Sequence, residues 1–97
     1  MDLHELWQSL AAPAPPAGLN ELVQALWHDA KGEWDRAHEI AQSVKGKTGA
    51  RVHAYLHRKE GDLDNANYWY DLSDTKMPKI PAEKEWEALV TELLRDT

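Results

Sequence analysis

The chain has 97 residues, enough for one hydrophobic core and too few for two, because shorter pieces bury too little apolar surface. Hydrophobic residues make up 42% and charged residues 29%, as in folded globular proteins, and the formal net charge of -6 disfavours nucleic acid as a partner. No cysteine is present, which excludes disulfides, cysteine nucleophiles and thiolate zinc sites. Since there is neither a basic leader nor an apolar run of roughly 18 residues, we expect a cytoplasmic protein without a membrane partner.

Apolar residues recur at three- and four-residue spacing along the chain, and phenylalanine is absent. This pattern predicts an all-α fold with about six helices in a single domain over residues 1–97. The first helix is expected over residues 1–12, with Asp2 as its N-cap. The proline-rich linker over 13–18 ends it, because proline lacks a backbone donor and fixes φ.

Residues 19–73 are predicted to form two antiparallel helical hairpins. In the first hairpin, Asn20 caps one helix and Gly32 supplies the turn to the next. In the second, the turn is at Gly61 and Asp62 caps the helix that follows.

Three further segments complete the predicted chain. Residues 45–49, which contain two glycines, are interpreted as the connector between the hairpins, and 73–80 as a loop. A C-terminal helix is expected over 81–96, where Pro81 suits the first turn. Four tryptophans fall on apolar helix stripes and are predicted to pack in the interior: Trp27, Trp34, Trp69 and Trp86.

A shift of 29 residues brings Gly32 onto Gly61 and superposes the two hairpins. The same shift aligns several identical pairs: Val23 with Val52, Ala25 with Ala54, His28 with His57, Asp35 with Asp64, and Ala37 with Ala66. We interpret this as an internal duplication of one hairpin design.

In the second hairpin, Ala66, Tyr70 and Pro78 stand at the relative spacing of tetratricopeptide repeats, and residues 68–70 are similar to the aromatic run of Sel1-like repeats. Residues 22–81 thus resemble these helical repeats, although the 29-residue shift is shorter than the roughly 34 residues usual there. The resemblance implies a helical-hairpin architecture and assigns no activity. Residues 53–62, followed by the aromatic run 68–70, also resemble a family of small microbial proteins, and this resemblance assigns no activity.

His53 and His57 lie four residues apart on one predicted helix face, a spacing at which two imidazoles can share a metal ion. Glu60 lies three residues beyond His57 on much the same side, so these three residues are the predicted metal ligands. A divalent metal is therefore the candidate cofactor. Further ligands would come from the first hairpin, at His28 or at the His38-Glu39 pair.

A structural role for the histidines is the alternative. His28 and His57 each fall in the last turn of a predicted helix, where a cation or a ring donor stabilises unpaired carbonyl groups. Because the two histidines are equivalent in the repeat, one capping or packing role explains both.

Tyr68 projects off the buried stripe of its predicted helix, beside Asn65. It would line a groove with His53 and His57, and together with His28 these residues form the predicted ligand-binding set. No catalytic residue is predicted, since no cysteine or nucleophile elbow is present, and a non-enzymatic role is favoured.

Two functional hypotheses follow. The first is an interaction module whose aromatic- and histidine-lined groove binds a protein, a peptide or a second copy of the chain. The second is a small metal- or ligand-binding protein, conceivably an enzyme, centred on His53 and His57.

Overall fold

The computed structural model describes residues 1–96, which contain six α-helices and no β-strand. The helices are α1 (Leu3–Ser9), α2 (Glu21–Ala30), α3 (Trp34–Ser43), α4 (Lys47–Glu60), α5 (Leu63–Leu72) and α6 (Ala82–Arg95). The predicted all-α fold with about six helices is confirmed. Within residues 1–96, none of the helices is both long enough and apolar enough to cross a membrane.

The predicted N-caps stabilise three of the helix starts. The Asp2 carboxylate accepts a hydrogen bond from the backbone N–H of Glu5 at 2.9 Å, and the backbone N–H of Asp2 donates to the Glu5 carboxylate at 3.2 Å, which completes a capping box. The side chain of Asn20 accepts from the backbone N–H of residue 22 at 2.8 Å. Asp62 accepts from the backbone N–H of residue 65 at 3.2 Å and begins α5.

The turns of the two hairpins share one backbone design. Gly32 and Gly61 both have positive φ, of 81° and 91°, which glycine adopts without steric cost. α3 and α5 each have ten residues, and their bounds differ by the 29-residue shift found in the sequence. The resemblance to tetratricopeptide and Sel1-like repeats stays a prediction.

The predicted connector over 45–49 is wrong at its end, because α4 already begins at Lys47 and includes Gly49. A Cβ atom at Gly49 would lie 2.1 Å from the carbonyl oxygen of Val44. Glycine is therefore required for close approach of the helix to the preceding chain, not for a turn.

Each hairpin packs internally, α2 against α3 and α4 against α5, and α3 also packs against α4 to join the hairpins. α6 lies across α2 and α4, and α1 packs on α6. The main core therefore combines residues of α1, α2, α3, α4 and α6, among them Leu6, Leu26, Leu56 and Leu89. The terminal helices thus cover the apolar faces of the hairpin pair.

The tryptophan prediction is correct for Trp27 and Trp86, which are 1% and 4% exposed. It holds in part for Trp34 and Trp69, which are partly buried and pack against the two clusters of buried hydrophobic residues. Their rings also lie against histidines of α3 and α4, Trp34 on His38 and Trp69 on His53.

Candidate metal centre

Three histidine side chains converge where the two hairpins meet. Nε2 of His53 lies 2.9 Å from Nε2 of His38 and 3.0 Å from Nε2 of His57. One ring nitrogen from each residue can be chosen so that all three atoms lie within 4.8 Å of one another. These three residues, the histidine cluster, present three possible nitrogen ligands at one point.

Two helices build this cluster. His53 and His57 are one turn apart on α4, so their rings extend from the same face and stack at 4.8 Å between centroids. His38 belongs to α3, and the packing of α3 against α4 brings its ring edge-on to both of them. The cluster therefore depends on contact between the first and second hairpins.

Tryptophan rings hold two of the imidazoles in place. Trp34, one turn before His38, stacks on it at 4.8 Å with 13° between the ring planes. Trp69 of α5 stacks on His53 at 3.9 Å and 15°. The indole N–H of Trp34 donates to the carbonyl oxygen of Leu56, which anchors that ring to α4. The imidazoles of His38 and His53 are thus oriented by packing against flat faces.

The third imidazole of the cluster, that of His57, contacts a carboxylate. Nδ1 of His57 lies 2.5 Å from Oε1 of Glu60, one turn further along α4. When the neutral ring donates its Nδ1 proton to this carboxylate, Nε2 is left with a lone pair directed at the cluster. The side-chain amide nitrogen of Asn65 lies 3.4 Å from that Nε2. This arrangement resembles the carboxylate–histidine pairs that support metal ligands.

The two short contacts of Nε2 of His53 cannot both be straight hydrogen bonds between neutral rings. Each Nε2 of a neutral imidazole carries either one proton or one lone pair. Nε2 of His53 faces both of the other Nε2 atoms, so it can form at most one straight hydrogen bond with them. Three lone pairs directed at one cation would satisfy all three nitrogens.

Burial favours the neutral form of two of these rings. His53 is 4% exposed, and its removal from water, together with the neighbouring imidazoles of His38 and His57, lowers its pKa to about 4. Burial also lowers the pKa of His38, with His57 adding to the effect. Neutral imidazole is the form that binds metal ions.

The other predicted site residues lie elsewhere. Nδ1 of His28 lies 2.8 Å from the carboxylate of Glu33, and its ring packs edge-on against Trp27. Tyr68 is 58% exposed, with its ring edge-on to Trp69. The structure therefore brings His53 and His57 together with His38, and separates them from His28. The predicted ligand-binding roles of these residues stay predictions.

Glu60, the third ligand predicted from the sequence, faces the other ring nitrogen of His57. There His57, Glu60 and Asp62 form a second group of possible ligands, with both carboxylates exposed. The Asp62 carboxylate already caps α5, and that of Glu60 already contacts His57. The histidine cluster is the more enclosed of the two groups.

The sequence interpretation missed the tryptophans of this centre. It assigned Trp34 and Trp69 to the core, although Trp34 and His38 show the same four-residue spacing as His53 and His57. That spacing was the available signal, because residues four apart on a helix stack on one face.

The chain was compared with models of known protein families, with curated protein sequences and with solved structures, and none of the three comparisons gives a match. The chemistry of the histidine cluster is therefore the basis for a functional assignment.

Proposed function

We propose that the protein binds a divalent transition-metal ion through the Nε2 atoms of His38, His53 and His57. The observation that carries this proposal is that Nε2 of His53 lies 2.9 Å from Nε2 of His38 and 3.0 Å from Nε2 of His57, two contacts that cannot both be straight hydrogen bonds between neutral rings. In a four-coordinate site with metal–nitrogen distances of about 2.0–2.1 Å, ligand nitrogens lie about 3.4 Å apart. The two short distances would lengthen by about 0.4–0.5 Å to reach that geometry, and His38 and His57 offer ring nitrogens within 4.8 Å of each other.

The ligand type favours particular metals. Imidazole nitrogen suits Zn²⁺, Cu²⁺ and Ni²⁺, whereas Mg²⁺ and Ca²⁺ prefer oxygen ligands. Three neutral imidazoles bring no charge of their own, and the carboxylate of Glu60 on Nδ1 of His57 supplies a negative charge on the far side of that ring. Zn²⁺ is the representative ion.

Binding at this place would join the two hairpins. His38 belongs to the first hairpin, and His53 and His57 to the second, so one ion would cross-link α3 to α4. A ligand that binds only the folded state stabilises it by mass action, by about 2.7 kcal/mol at a concentration 100 times its dissociation constant. Three protein ligands leave a fourth position for water or another small ligand.

The test is a zinc titration of untagged protein, followed by thermal unfolding and calorimetry. We expect Zn²⁺ to raise the Tm of the wild-type protein by about 10 °C, from that stabilisation and the size of the domain. His53→Gln should weaken zinc binding by about 100-fold or more, because it removes a direct ligand. His28→Gln is the matched control, since it removes an imidazole from the same chain outside the cluster.

Two results would contradict the proposal. One is an unchanged Tm with zinc, nickel and copper. The other is an equal loss of affinity in His53→Gln and His28→Gln, which would indicate unspecific binding to surface imidazoles.

An interaction module is the second candidate, favoured by two exposed side chains one turn apart on α5. Tyr68 is 58% exposed and Leu72 is 50% exposed, and together they place an apolar strip at the surface. The partner would be a protein, a peptide or a second copy. Light scattering tests self-association: concentration-dependent dimers that Tyr68→Ser abolishes support it, and a monomer at every concentration removes the second copy as partner.

A further inference from the structure

A cleft of about 460 Å³ lies between the ends of α2 and α4 and the start of α6. Its lining is mostly apolar and includes two tryptophans, a tyrosine and three carboxylates. The residues that determine its chemistry are Trp7, Asp29, Tyr55, Lys59, Glu83, Trp86 and Glu87. None of them belongs to the histidine cluster.

Aromatic rings form the wall of this cleft. Trp86 is 4% exposed and fixed by a hydrogen bond from its indole N–H to the carbonyl oxygen of Leu26. Trp7 stacks obliquely on it, with 4.9 Å between centroids, yet remains 55% exposed. Unlike its buried neighbour Leu6, Trp7 thus offers its ring to the cleft and to solvent.

The charge of the lining is negative. Asp29 is already neutralised, because Lys59 lies 2.9 Å from Oδ1 and Tyr55 donates to Oδ2 at 2.8 Å. Two carboxylates one turn apart on α6, Glu83 and Glu87, then leave an excess of negative charge beside the tryptophans.

One neighbouring cation approaches these carboxylates. The ammonium group of Lys84 lies 3.4 Å from Glu87, but both side chains are substantially exposed, and such pairs contribute little. The negative charge beside the rings therefore remains available to a ligand.

From this combination we infer that the cleft binds a small organic cation of the alkylammonium class. The methyl or methylene groups would lie on the exposed face of Trp7, which the buried Trp86 supports, where the ring quadrupole attracts a cation, and Glu83 and Glu87 would balance its charge. An inorganic ion keeps its water shell and gains little from apolar walls, and an anion is repelled by the carboxylates.

The experiment uses choline as the probe and 3,3-dimethylbutan-1-ol as its uncharged isostere, at equal ionic strength. Binding is followed by NMR at the indole N–H signals of the five tryptophans. We expect choline to shift the signals of Trp7 and Trp86 saturably and to leave those of Trp34 and Trp69 unchanged. The alcohol should bind roughly fivefold more weakly, the size of a cation–π contribution at a partly exposed place.

Charge variants complete the test. The double variant Glu83→Gln/Glu87→Gln should also bind choline roughly fivefold more weakly, whereas Glu39→Gln, an exposed carboxylate on α3, should bind as the wild type does. The inference is overturned if choline causes no saturable shift, if the alcohol binds equally well, or if the double variant retains full affinity. Equal binding of the alcohol would identify the cleft as a site for neutral apolar ligands.

Discussion

The buried carboxylates of this domain and its histidine cluster differ in how their hydrogen bonds are paired. Glu85, 2% exposed, accepts hydrogen bonds from Tyr70 at 2.7 and 2.8 Å and from Arg58 at 2.8 Å, so every donor meets an acceptor. Asp29 is paired in the same complete way with Tyr55 and Lys59.

The histidine cluster lacks this complementarity. Nε2 of His53 faces Nε2 of both His38 and His57, and His53 is buried, as the two carboxylates are. Complete pairing indicates a structural role, because a satisfied network stabilises the fold by itself. Imidazole nitrogens directed at one point indicate a cation-binding site. The following predictions test this difference between the paired carboxylates and the histidine cluster.

The largest effect is expected in the carboxylate network. Glu85→Leu leaves the guanidinium of Arg58 and the hydroxyl of Tyr70 without their buried acceptor, which should lower the free energy of unfolding by about 3–5 kcal/mol. Urea unfolding measures it. Glu83→Leu, an exposed position on the same helix, should change stability by less than about 0.5 kcal/mol. Comparable losses in the two variants would show that Glu85 has no special structural role.

The next effect is a loss of stability in alkali. Burial raises the pKa of Tyr55 and of Tyr70 above the usual range, with the nearby carboxylates of Asp29 and Glu85 adding to the shift. Because the unfolded tyrosines ionise near pH 10, stability from this source is complete below about pH 10 and falls above it. At about pH 11 the loss should be about 1.4 kcal/mol for each tyrosine.

Urea unfolding below about pH 10 and at about pH 11, combined with the ultraviolet absorbance of tyrosinate, checks this prediction. The variant Tyr55→Phe/Tyr70→Phe should show a correspondingly smaller alkaline loss. If the two tyrosines ionise in the folded protein near pH 10, their buried pairing with carboxylates is contradicted.

A smaller effect, on zinc affinity, is expected at Glu60, whose carboxylate contacts His57 of the histidine cluster. Glu60→Gln removes the negative charge beside Nδ1 of His57 but keeps an acceptor there, so zinc affinity should fall by about tenfold. Calorimetry measures it, with Glu83→Gln as the control, since Glu83 is an exposed carboxylate on α6 and not a candidate metal ligand. A loss of 100-fold or more would instead identify Glu60 as a direct ligand, as the residue spacing predicts.

The smallest effect is expected from His53→Leu in metal-free protein. Replacing an incompletely paired polar ring by an apolar side chain should change the free energy of unfolding by less than about 1 kcal/mol. The same variant should lose the zinc-induced rise in Tm. A cost comparable to that of Glu85→Leu, measured by urea unfolding without metal, would mean that the cluster is a structural network like the other two.

Local patterns in the sequence were sufficient for most of the fold. The N-caps Asp2, Asn20 and Asp62 depend on the residue's own side chain and the next turn of backbone, so they were predictable. The start of α4 was not, because the role of Gly49 depends on its approach to Val44, a contact that turn propensity does not include.

The candidate site was predictable only in part, for a similar reason. The four-residue spacing alone places His53 and His57 together on one face of α4. His38 joins them only through the packing of α3 on α4. The apolar periodicity of α5 predicted that Trp69 faces inward. It could not show that the side chain facing Trp69 is the imidazole of His53.

The most direct test is NMR of the imidazole nitrogens in ¹⁵N-labelled, untagged protein before and after addition of one equivalent of Zn²⁺. We expect the Nε2 signals of His38, His53 and His57 to move to the positions of metal-bound nitrogen, while His57 keeps its proton on Nδ1. The signals of His4 and His28 should not move. Unchanged signals in the cluster, or metal bound at His4 or His28 instead, would contradict the proposed centre.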